Sequence, residues 1–495
     1  MRAFFLFSLL FGILSAVELP LVLRTEPADT HLKTRVHLGD LAFENTNGEW
    51  TPIPSDTLTL TNERETIRLS KVPIGTYKAI QFSIIDPSDQ PALALASPQS
   101  TLTLDAHPFP PRIHISKWFV AKESEPLTLS LHLERLLKFP RPIPLDGSLS
   151  QASLNSALIA NLQGAFSLSE NKSLIAPRHL PAEHTPVTLN LPPYFSPPGL
   201  PPDNPLTQER ITVGERLFFD GIISADGTVT CAACHSENTA FAEDRAISRG
   251  FEGRLGKANS MPLFNRPWKS SFFWNGRAPT IRQQVLIPIA HRQEMAIPVR
   301  FALNRLNRRR DYQRDFTKAF GPGKITREKL GLALESFILS LTSTDSKYDQ
   351  FIQGKAQLSQ SEQRGAELFF NDHIPGQAGK GAGCYQCHGG SNFTNYQFHN
   401  NGIFSPKDDG LQEVTGRKQD LKKFITPSLR NLVHTRPYSH DGRLLTLEEV
   451  IDLYSNPPHL SDTLDPRVPI EGLQLSAEDK NALIDFLKTL SDPKY

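Results

Sequence analysis

Alternating apolar and polar residues dominate the first part of the chain. The runs TLTLTNERETIRLSKV and LTLSLHLERL alternate with the period of two that a half-buried strand requires, and VPIGTYKAIQFSI closely follows the first of them. We therefore expect residues 17–190 to form a mainly β, sandwich-like domain.

A proline-rich segment follows this region. The stretch LPPYFSPPGLPPDNP, residues 191–205, contains seven prolines, and proline is excluded from the interior of helices and sheets. Such a composition predicts an extended, semi-rigid linker. From residue 206 onward the apolar spacing becomes helical, and loops that contain Gly and Pro separate the helical segments.

The helical part of the chain repeats itself. VGERLFFD at residues 213–220 is echoed by RGAELFFN at 364–371. NRPWKSSFFWNGRAPTIRQQVLIP, which ends at Pro288, aligns without gaps on NLVHTRPYSHDGRLLTLEEVIDLY, which ends at Tyr454. Internal similarity of this kind predicts two copies of one structural unit, at residues 206–355 and 356–495. Differences between the copies should mark different roles.

The net charge and the N-terminal segment restrict the expected partners and cellular location of the protein. With 53 basic and 52 acidic residues, the chain offers no electrostatic argument for a nucleic-acid partner. MRAFFLFSLLFGILSA, residues 1–16, predicts a cleaved secretory signal peptide. The alternative is an uncleaved anchor, although the apolar run is shorter than the ~20 residues of a membrane span. No later segment would span a membrane, and we expect a periplasmic protein.

All four cysteines lie in two pentapeptides, CAACH and CYQCH. Two local disulfides or a shared zinc site would also use four cysteines, but neither explains the histidine after each pair. In c-type haem attachment the two thiols bond to the vinyl groups and the adjacent imidazole binds the iron. The sequence therefore predicts two covalent haem c groups. Their ligands would be Cys231, Cys234 and His235 for haem 1, and Cys384, Cys387 and His388 for haem 2.

The second axial ligand of haem 2 is not a methionine from its own repeat. All three methionines of the chain precede Cys384. Thr446 and Glu449 predict a capping box at the start of a helix, and Tyr454 falls on the same face as three apolar residues of that helix. Tyr454 is thus either a core tyrosine or a phenolate ligand of iron.

The first copy has no ligand at the equivalent position. Pro288 aligns with Tyr454 and has no side-chain donor atom. If one position supplies the distal ligand in both copies, haem 1 has an open side that could bind peroxide or oxygen. Gln284 and Glu294 are close in sequence, and a carboxyl group there could move the proton that O–O cleavage requires. The alternative for Glu294 is an ordinary surface carboxylate.

These residues resemble the bacterial dihaem cytochrome c peroxidase superfamily over about 206–490. The resemblance rests on GERLFFD with CAACH, FFWNGR, QQVLIPIAHRQEM, STDSKYDQF, CYQCHGG, TPSLRN, RPYSHDGR and LEEVIDLY. It implies a mainly α module of two tandem c-type cytochrome units. His235 and His388 would be the proximal ligands, and Trp274 would lie between the haems.

The resemblance also implies two further sets of site residues. Gln284, Pro288 and Glu294 match the distal pocket of the peroxide-binding haem. A calcium ion between the haems would be held by Asn259 and by the backbone carbonyls of Thr435 and Pro437, an oxygen-rich set that suits calcium.

The residue at position 454 separates the branches of this superfamily. Peroxidases that take electrons from small cytochromes carry methionine there. Tyrosine is the pattern of the MauG and MbnH branch, which oxidises tryptophans of partner proteins. The resemblance thus implies that Tyr454 binds haem 2, and that hydrogen peroxide generates a high-valent two-haem state that oxidises protein aromatic residues. One departure is GKGAG before Cys384, where MauG has a tryptophan that passes oxidising equivalents to its substrate.

Two other functions remain open at this point. The chain could be a peroxidase that reduces hydrogen peroxide with electrons from a small cytochrome or cupredoxin. It could also be a dihaem cytochrome that only carries electrons, although such a carrier gains nothing from the open side at Pro288.

The N-terminal domain is weakly similar to the MbnP family, the copper-binding partners that MbnH modifies. This similarity implies a fused partner domain that serves as the substrate, with Trp50 and Trp118 as candidate oxidation targets. The alternative is that both tryptophans are ordinary core residues. The candidate copper ligands are His31, His37, His107 and His114, whose spacing is not diagnostic.

Overall fold

The computed structural model describes most of the chain after the predicted signal peptide. The described residues are 16–26, 33–54, 58–61, 66–73, 75–85, 93–96, 101–104, 112–121, 127–143, 150–168, 176–403 and 408–495. Apart from Ala16, where the first strand begins, the predicted signal peptide lies outside them. Within the described part of the chain, no helix combines the length and the apolar character that a bilayer span needs.

Two β-sheets form the N-terminal domain. The strands are β1 (Ala16–Glu26), β2 (Lys33–Asn45), β3 (Trp50–Pro52), β4 (Leu58–Thr61), β5 (Thr66–Pro73), β6 (Gly75–Ile84), β7 (Leu93–Ala96), β8 (Thr101–Leu104), β9 (Arg112–Ala121), β10 (Leu127–His132) and β11 (Phe166–Leu168). One sheet has the order β11–β10–β1–β5, with β1 and β10 parallel. The other has the order β8–β7–β2–β6–β9, and β3 and β4 also pair with β2.

The two sheets share one hydrophobic core. The ring of Phe82 on β6 contacts the ring of Phe166 on β11 edge to face, with the centroids 5.4 Å apart. Consecutive residues of β10 are buried, which is typical of a strand covered on both faces. This packing confirms the predicted β-rich, sandwich-like domain.

Two helices in this domain were not predicted. The run LTLSLHLERL was predicted to be strand throughout, but β10 ends at His132 and α1 (Leu133–Lys138) follows. The prediction was wrong there because LERLLK changes to helical spacing. The longer helix α2 (Gln151–Ala165) begins after Ser150, whose hydroxyl accepts a hydrogen bond from the Ser153 N–H.

The second part of the chain is mainly helical, as predicted. Its helices are α3 (Gln208–Phe219), α4 (Ile281–Gln284), α5 (Leu286–Ala290), α6 (Val299–Arg308), α7 (Arg310–Phe320), α8 (Arg327–Ser340), α9 (Lys347–Ile352), α10 (Gln360–Phe370), α11 (Gln412–Thr415), α12 (Leu447–Ser455) and α13 (Ala477–Lys488). The short strands β12 (Phe398–His399) and β13 (Phe424–Ile425) form an antiparallel pair within it.

The internal repeat of the sequence is also a repeat of structure. Helix α3 packs on α8 in the first copy, and α10 packs on α13 in the second. In each pair, a glycine allows the two helix backbones to approach closely. A Cβ on Gly214 would lie 2.0 Å from the carbonyl oxygen of Ala333, and one on Gly365 would lie 1.9 Å from that of Ala482. The two glycines therefore permit the same helix crossing in both copies.

The proline-rich segment packs against both parts of the molecule. It contains no helix or strand, but Tyr194 and Phe195 within it are buried. The ring of Tyr194 stacks on that of Phe139 with centroids 4.4 Å apart, and the indole N–H of Trp268 donates to the Ser196 carbonyl at 2.8 Å. The segment has no regular secondary structure and packs as a strap on the core.

The N-terminal domain contacts both copies of the helical unit. The Lys78 ammonium donates to the carbonyl of Ser270 at 2.7 Å in the first copy. The Arg141 guanidinium donates to the carbonyl of Phe370 at 2.7 Å in the second. Apolar residues of the β-domain and of the second copy belong to one buried cluster.

Candidate functional site

Each Cys-x-x-Cys-His motif lies on a single tight turn. The turns are the 3-10 segments Cys231–Ala233 and Cys384–Gln386. In both, the backbone N–H of the histidine donates to the carbonyl of the first cysteine, at 3.0 Å for His235 and 2.9 Å for His388. This geometry gathers two thiols and one imidazole at one turn. All four cysteines are described, and none of them forms a disulfide, so the disulfide alternative is not realised.

The two histidines make the same kind of hydrogen bond to a backbone carbonyl. Nδ1 of His235 donates to the Phe241 carbonyl and Nδ1 of His388 to the Phe393 carbonyl, each at 3.0 Å. Such a bond fixes the tautomer and leaves Nε2 as the free donor atom for a metal. Burial lowers the pKa of both imidazoles to about 4, so both are in the neutral form that binds iron.

A cavity of about 280 Å³ opens beside the second motif. Cys384, Cys387, His388 and Tyr454 all line it, together with apolar residues of α12. The structure therefore brings Tyr454 to the same cavity as the thiols and the imidazole. The cavity wall has the composition that a haem requires, because it combines apolar surface with the covalent and axial donors.

The phenol of Tyr454 has a specific polar partner. Its oxygen accepts a hydrogen bond from the Asn401 side-chain amide at 2.9 Å. Burial raises the pKa of Tyr454 to about 12, and the bond from Asn401 opposes that shift because it favours the anion. Asn401 was not identified from the sequence, since a single asparagine in a loop carries no periodic signal.

Two basic side chains also face this cavity, of which Lys269 is buried and Arg266 is half-buried. Arg266 and Lys269 line it, and neither forms an ion pair with any described residue. Burial lowers the pKa of Arg266 to about 10 and that of Lys269 well below its usual range. Buried cations without a carboxylate partner are costly. The propionates of a haem would supply the missing negative charges, so both side chains fit this cofactor.

The predicted distal residues of haem 1 follow one another on a short helical segment. Gln284 ends α4 and Pro288 lies in α5, and the backbone N–H of Met295 donates to the Pro288 carbonyl at 3.1 Å. This bond folds the loop that carries Glu294 back toward α5. Gln284, Pro288 and Glu294 are all partly exposed.

Glu294 lies within electrostatic range of the first haem motif. Burial, and to a smaller extent the charges of Cys234 and Glu294, raise the pKa of Cys231 to about 12. The Glu294 carboxylate is itself 3.1 Å from Nδ1 of His291. Burial raises the pKa of Glu294, against the opposing effects of His291 and Arg277. A half-buried carboxyl group with a raised pKa and a histidine partner is suited to acid–base chemistry.

Trp274 connects the two candidate haem sites. Its indole N–H donates to the Asn259 carbonyl at 2.9 Å, and the ring lines the cavity beside His388. The next residue, Ser260, has its hydroxyl 3.2 Å from Nδ1 of His235. Hydrogen bonds and one peptide unit thus link the first proximal histidine to the second cavity.

The residues proposed for calcium line one cavity. Asn259, Thr435 and Pro437 line the same cavity as Trp274. They offer only neutral oxygen atoms, which are suitable donors for calcium. Within the described part of the chain, no group of three His, Cys, Asp or Glu side chains forms a metal site, and the calcium set is not of that type.

Two of the four candidate copper ligands, His37 and His114, lie within the described residues. His37 is buried on β2, where its Nδ1 is 2.8 Å from the hydroxyl of Thr59. His114 lies on β9. His31 and His107 fall outside the described residues, as does the side chain of Trp118. The other candidate oxidation target, Trp50, is exposed on β3.

Comparison with known proteins identifies the relatives of the helical part. The family described as di-haem cytochrome c peroxidase matches residues 208–357. The methylamine utilization protein MauG of Methylophilus methylotrophus is 33% identical over 309 residues, which are 61% of this chain and 89% of that protein. The cytochrome c551 peroxidase of Nitrosomonas europaea is 29% identical over 293 residues, 58% of this chain and 81% of that protein.

A solved structure gives a similar result. A MauG-like protein associated with microbial copper homeostasis superposes with a TM-score of 0.57 and 33% identity, covering 62% of this chain and 96% of its own.

Proposed function

The chain belongs to the di-haem cytochrome c peroxidase family, and we propose that it works in the manner of the MauG-like branch: hydrogen peroxide reacts at haem 1, and the oxidising equivalents are used on aromatic residues of a protein. The observation that carries this proposal is the position of Tyr454 in the wall of the haem 2 cavity, with Asn401 bonded to its oxygen. A phenolate is a hard anionic ligand, which favours oxidised over reduced iron.

The residues around haem 1 have distinct roles in this proposal. Haem, when bound, supplies the iron that binds peroxide and stores the oxidising equivalents. Pro288 leaves the distal side without a protein ligand. The Glu294 carboxylate would accept a proton from one peroxide oxygen and return it to the other, which leaves as water. Gln284, at the end of α4, lines the same side of the site.

Coupling between the haems is the role we assign to Trp274. Its hydrogen bond to the Asn259 carbonyl holds the indole against the loop that also contacts His235. A calcium ion on Asn259, Thr435 and Pro437 would tie that loop to the second repeat. Residues 206–355 would then serve haem 1 and residues 356–495 haem 2.

The setting and the partner are part of the same proposal. The signal-like residues 1–16 and the covalent haem motifs suit a periplasmic enzyme. The partner would be a protein that presents an aromatic side chain, and the N-terminal domain of this chain is one candidate. Copper binding by that domain would need ligands beyond His37 and His114.

A second candidate function is peroxide scavenging with electrons from a small cytochrome or cupredoxin. Its support is the 29% identity to a cytochrome c551 peroxidase. The two functions differ in the preferred source of electrons, and this difference can be measured directly.

The test is a peroxide titration of the diferric holoprotein with and without a reduced small cytochrome c. We expect one equivalent of peroxide to produce a long-lived absorption change, and the cytochrome to be oxidised only slowly. The matched variant is Tyr454→Met, which should gain cytochrome-dependent turnover. Rapid turnover of cytochrome by the unaltered protein, with no lasting absorption change, would contradict the proposal in favour of scavenging.

A further inference from the structure

Three aromatic rings connect the haem 2 cavity with the surface of the N-terminal domain. Tyr396 lines the cavity that also holds His388 and the two thiols. The ring of His114 on β9 lies 6.4 Å from that of Tyr396, centroid to centroid. The ring of Trp50 on β3 lies 5.6 Å from that of His114 at an interplanar angle of 63°. The roles assigned above to the haem-site residues do not involve these three rings.

We propose that these rings form an electron path along which Trp50 is oxidised by the haem 2 site of its own chain. This proposal rests on the proposed function and deepens it, because it names the substrate residue and the route. Electron tunnelling falls steeply with distance, so two short steps between rings are far faster than one long step through aliphatic side chains. The chain lacks the tryptophan before Cys384 through which MauG passes oxidising equivalents to its substrate. The path through Tyr396 would replace that exit from the cavity.

The middle of the path lies at the interface between the N-terminal domain and the second repeat. Tyr396 lies between the large cavity and a small one of about 20 Å³, which His114 also lines. The side-chain amide groups of Gln397 and Gln81, on the two sides of the same interface, are 3.4 Å apart. Burial lowers the pKa of His114 to about 3, so its ring stays neutral and adds no positive charge that would oppose the passage of an oxidising equivalent.

Oxidation of an indole releases protons, so the residue that is modified needs access to water. Trp50, at the end of the path, has this access. Trp50 is 36% exposed, so water can take up its protons and attack its ring. Trp268 also lines the small cavity, but it is 5% exposed and its N–H is bonded to the Ser196 carbonyl. The buried indole has no comparable outlet, which favours Trp50 as the residue that is modified.

The reaction balances with peroxide and water. Two electrons and two protons leave Trp50 as one water oxygen bonds to its ring, which gives a hydroxytryptophan. Hydrogen peroxide takes up two electrons and two protons as its O–O bond breaks, which gives two waters. The net change is one oxygen atom gained by Trp50, one peroxide consumed and one water released.

The experiment treats the holoprotein with peroxide and follows three signals. These are the decay of the peroxide-induced haem absorption, the mass of the peptide that contains Trp50, and the radical spectrum of rapidly frozen samples with deuterated tryptophan. The variants are Trp50→Phe at the end of the path and Tyr396→Leu in its middle. Phe301→Leu is the matched control, since Phe301 is an exposed aromatic residue in α6, off the path. Ferric spectra and circular dichroism show whether each variant keeps its fold.

We expect the Trp50 peptide to gain one oxygen atom in the unaltered protein and in Phe301→Leu. In Tyr396→Leu that gain should be lost. In both path variants the peroxide-induced haem absorption should decay more slowly, and the tryptophan radical should be absent. An unmodified Trp50 peptide with unchanged decay in Trp50→Phe would overturn the path and leave the proposed function standing, as would modification of Trp118 or Trp268 instead. If peroxide changes the haem absorption in none of the proteins, the proposed function is refuted and the path with it.

Discussion

The phenol of Tyr454 and the ring of Pro288 occupy equivalent places in the two repeats and differ in one essential respect. The phenol has an oxygen atom that can bind iron, and the proline ring has none. The amide of Asn401 donates to that oxygen at 2.9 Å, so the phenolate is stabilised although burial raises its pKa to about 12. Iron binding would lower the pKa of Tyr454 far more than the bond from Asn401 does, as metal coordination does for other protic ligands.

The first residue-level prediction concerns Tyr454→Phe. Haem 2 should stay attached, because Cys384 and Cys387 are unchanged, but it should lose its sixth ligand. We expect the ferric haem 2 signal in electron paramagnetic resonance to change from low spin to high spin, and the shared two-haem oxidised state to be lost. Tyr438→Phe is the control, since Tyr438 lines the same cavity and donates to the Leu432 carbonyl. Persistence of the oxidised state in Tyr454→Phe would disprove the ligand assignment.

The second residue-level prediction concerns Glu294→Gln. Loss of a general acid–base group lowers a rate by roughly 10²–10⁴-fold, so we expect a decrease of that order in the rate of reaction with peroxide, measured by stopped flow. Peroxide binding requires the ionised carboxylate, and burial raises its pKa. The rate of the unaltered protein should therefore fall as pH decreases through a value above 4.5, the ordinary value. The variant should lack this inflection.

The control for that experiment is Glu413→Gln. The charge of Glu413 also acts on Arg277, but its carboxylate is bonded to the Asn275 amide. It should leave the rate with peroxide unchanged. Equal losses in both variants would show that the effect comes from the general charge around Arg277.

At the scale of secondary structure, equivalent threonines start α12, which carries Tyr454, and α4, which precedes the helix α5 that carries Pro288. The Thr446 hydroxyl accepts from the Glu449 N–H at 3.2 Å at the start of α12, and the Thr280 hydroxyl accepts from the Gln283 N–H at 3.1 Å at the start of α4. The predicted capping box forms only in part, because the Glu449 carboxylate accepts from the Leu445 N–H and not from that of Thr446.

These caps give a matched pair of substitutions. An N-cap threonine contributes about 1 kcal/mol, so we expect Thr446→Ala and Thr280→Ala to lower the free energy of unfolding by similar amounts in urea titrations. Only Thr446→Ala should broaden the low-spin signal of haem 2, since α12 carries Tyr454. The same broadening in Thr280→Ala would argue against a specific role for α12.

Local patterns of sequence were sufficient for much of this architecture. Period two predicted the sandwich, and the aligned repeats predicted the paired units. Helix α2 was missed because Ser156 through Leu162 are all buried, so no amphipathic stripe marks it. Its surroundings are the β-sheets and the second haem motif, where the Gly390 N–H donates to the Ala160 carbonyl at 2.9 Å. Such burial follows from tertiary packing and leaves no periodic trace in the sequence.

The candidate site was predictable to a similar extent. The thiols and histidines follow from their spacing, and Tyr454 from its helix face and the family resemblance. Asn401, Arg266 and Lys269 were not anticipated, because each lies in a segment without a motif and acquires its role only through the cavity that it lines. The path through Tyr396, His114 and Trp50 joins three distant segments of the chain, so only the folded structure reveals it.

On the scale of the whole molecule, a buried ion pair fastens the N-terminal domain to the first helical unit. Lys78 is 2.9 Å from Glu44 within the β-domain and donates to the carbonyls of Ser270 and Pro279 across the interface. Removal of one partner of a buried pair costs about 3–5 kcal/mol because the other charge is left unpaired. Lys78→Met should therefore destabilise the protein by about that amount.

The double variant Lys78→Met with Glu44→Gln tests the cause of that loss. It should recover a large part of the stability, because no buried charge then remains without a partner. The measurement is chemical unfolding followed both by haem absorption and by far-ultraviolet circular dichroism. If the single variant alters only the circular dichroism transition, the two parts of the molecule unfold independently and the interface contributes little.

The central claim is that one haem is open to peroxide and the other is closed by Tyr454. It is tested most directly by electron paramagnetic resonance and absorption spectra of the diferric holoprotein, recorded before and after one equivalent of hydrogen peroxide. The account predicts one high-spin and one low-spin haem at the start, and a long-lived near-infrared band after the addition. Two low-spin haems that do not react with peroxide would contradict it.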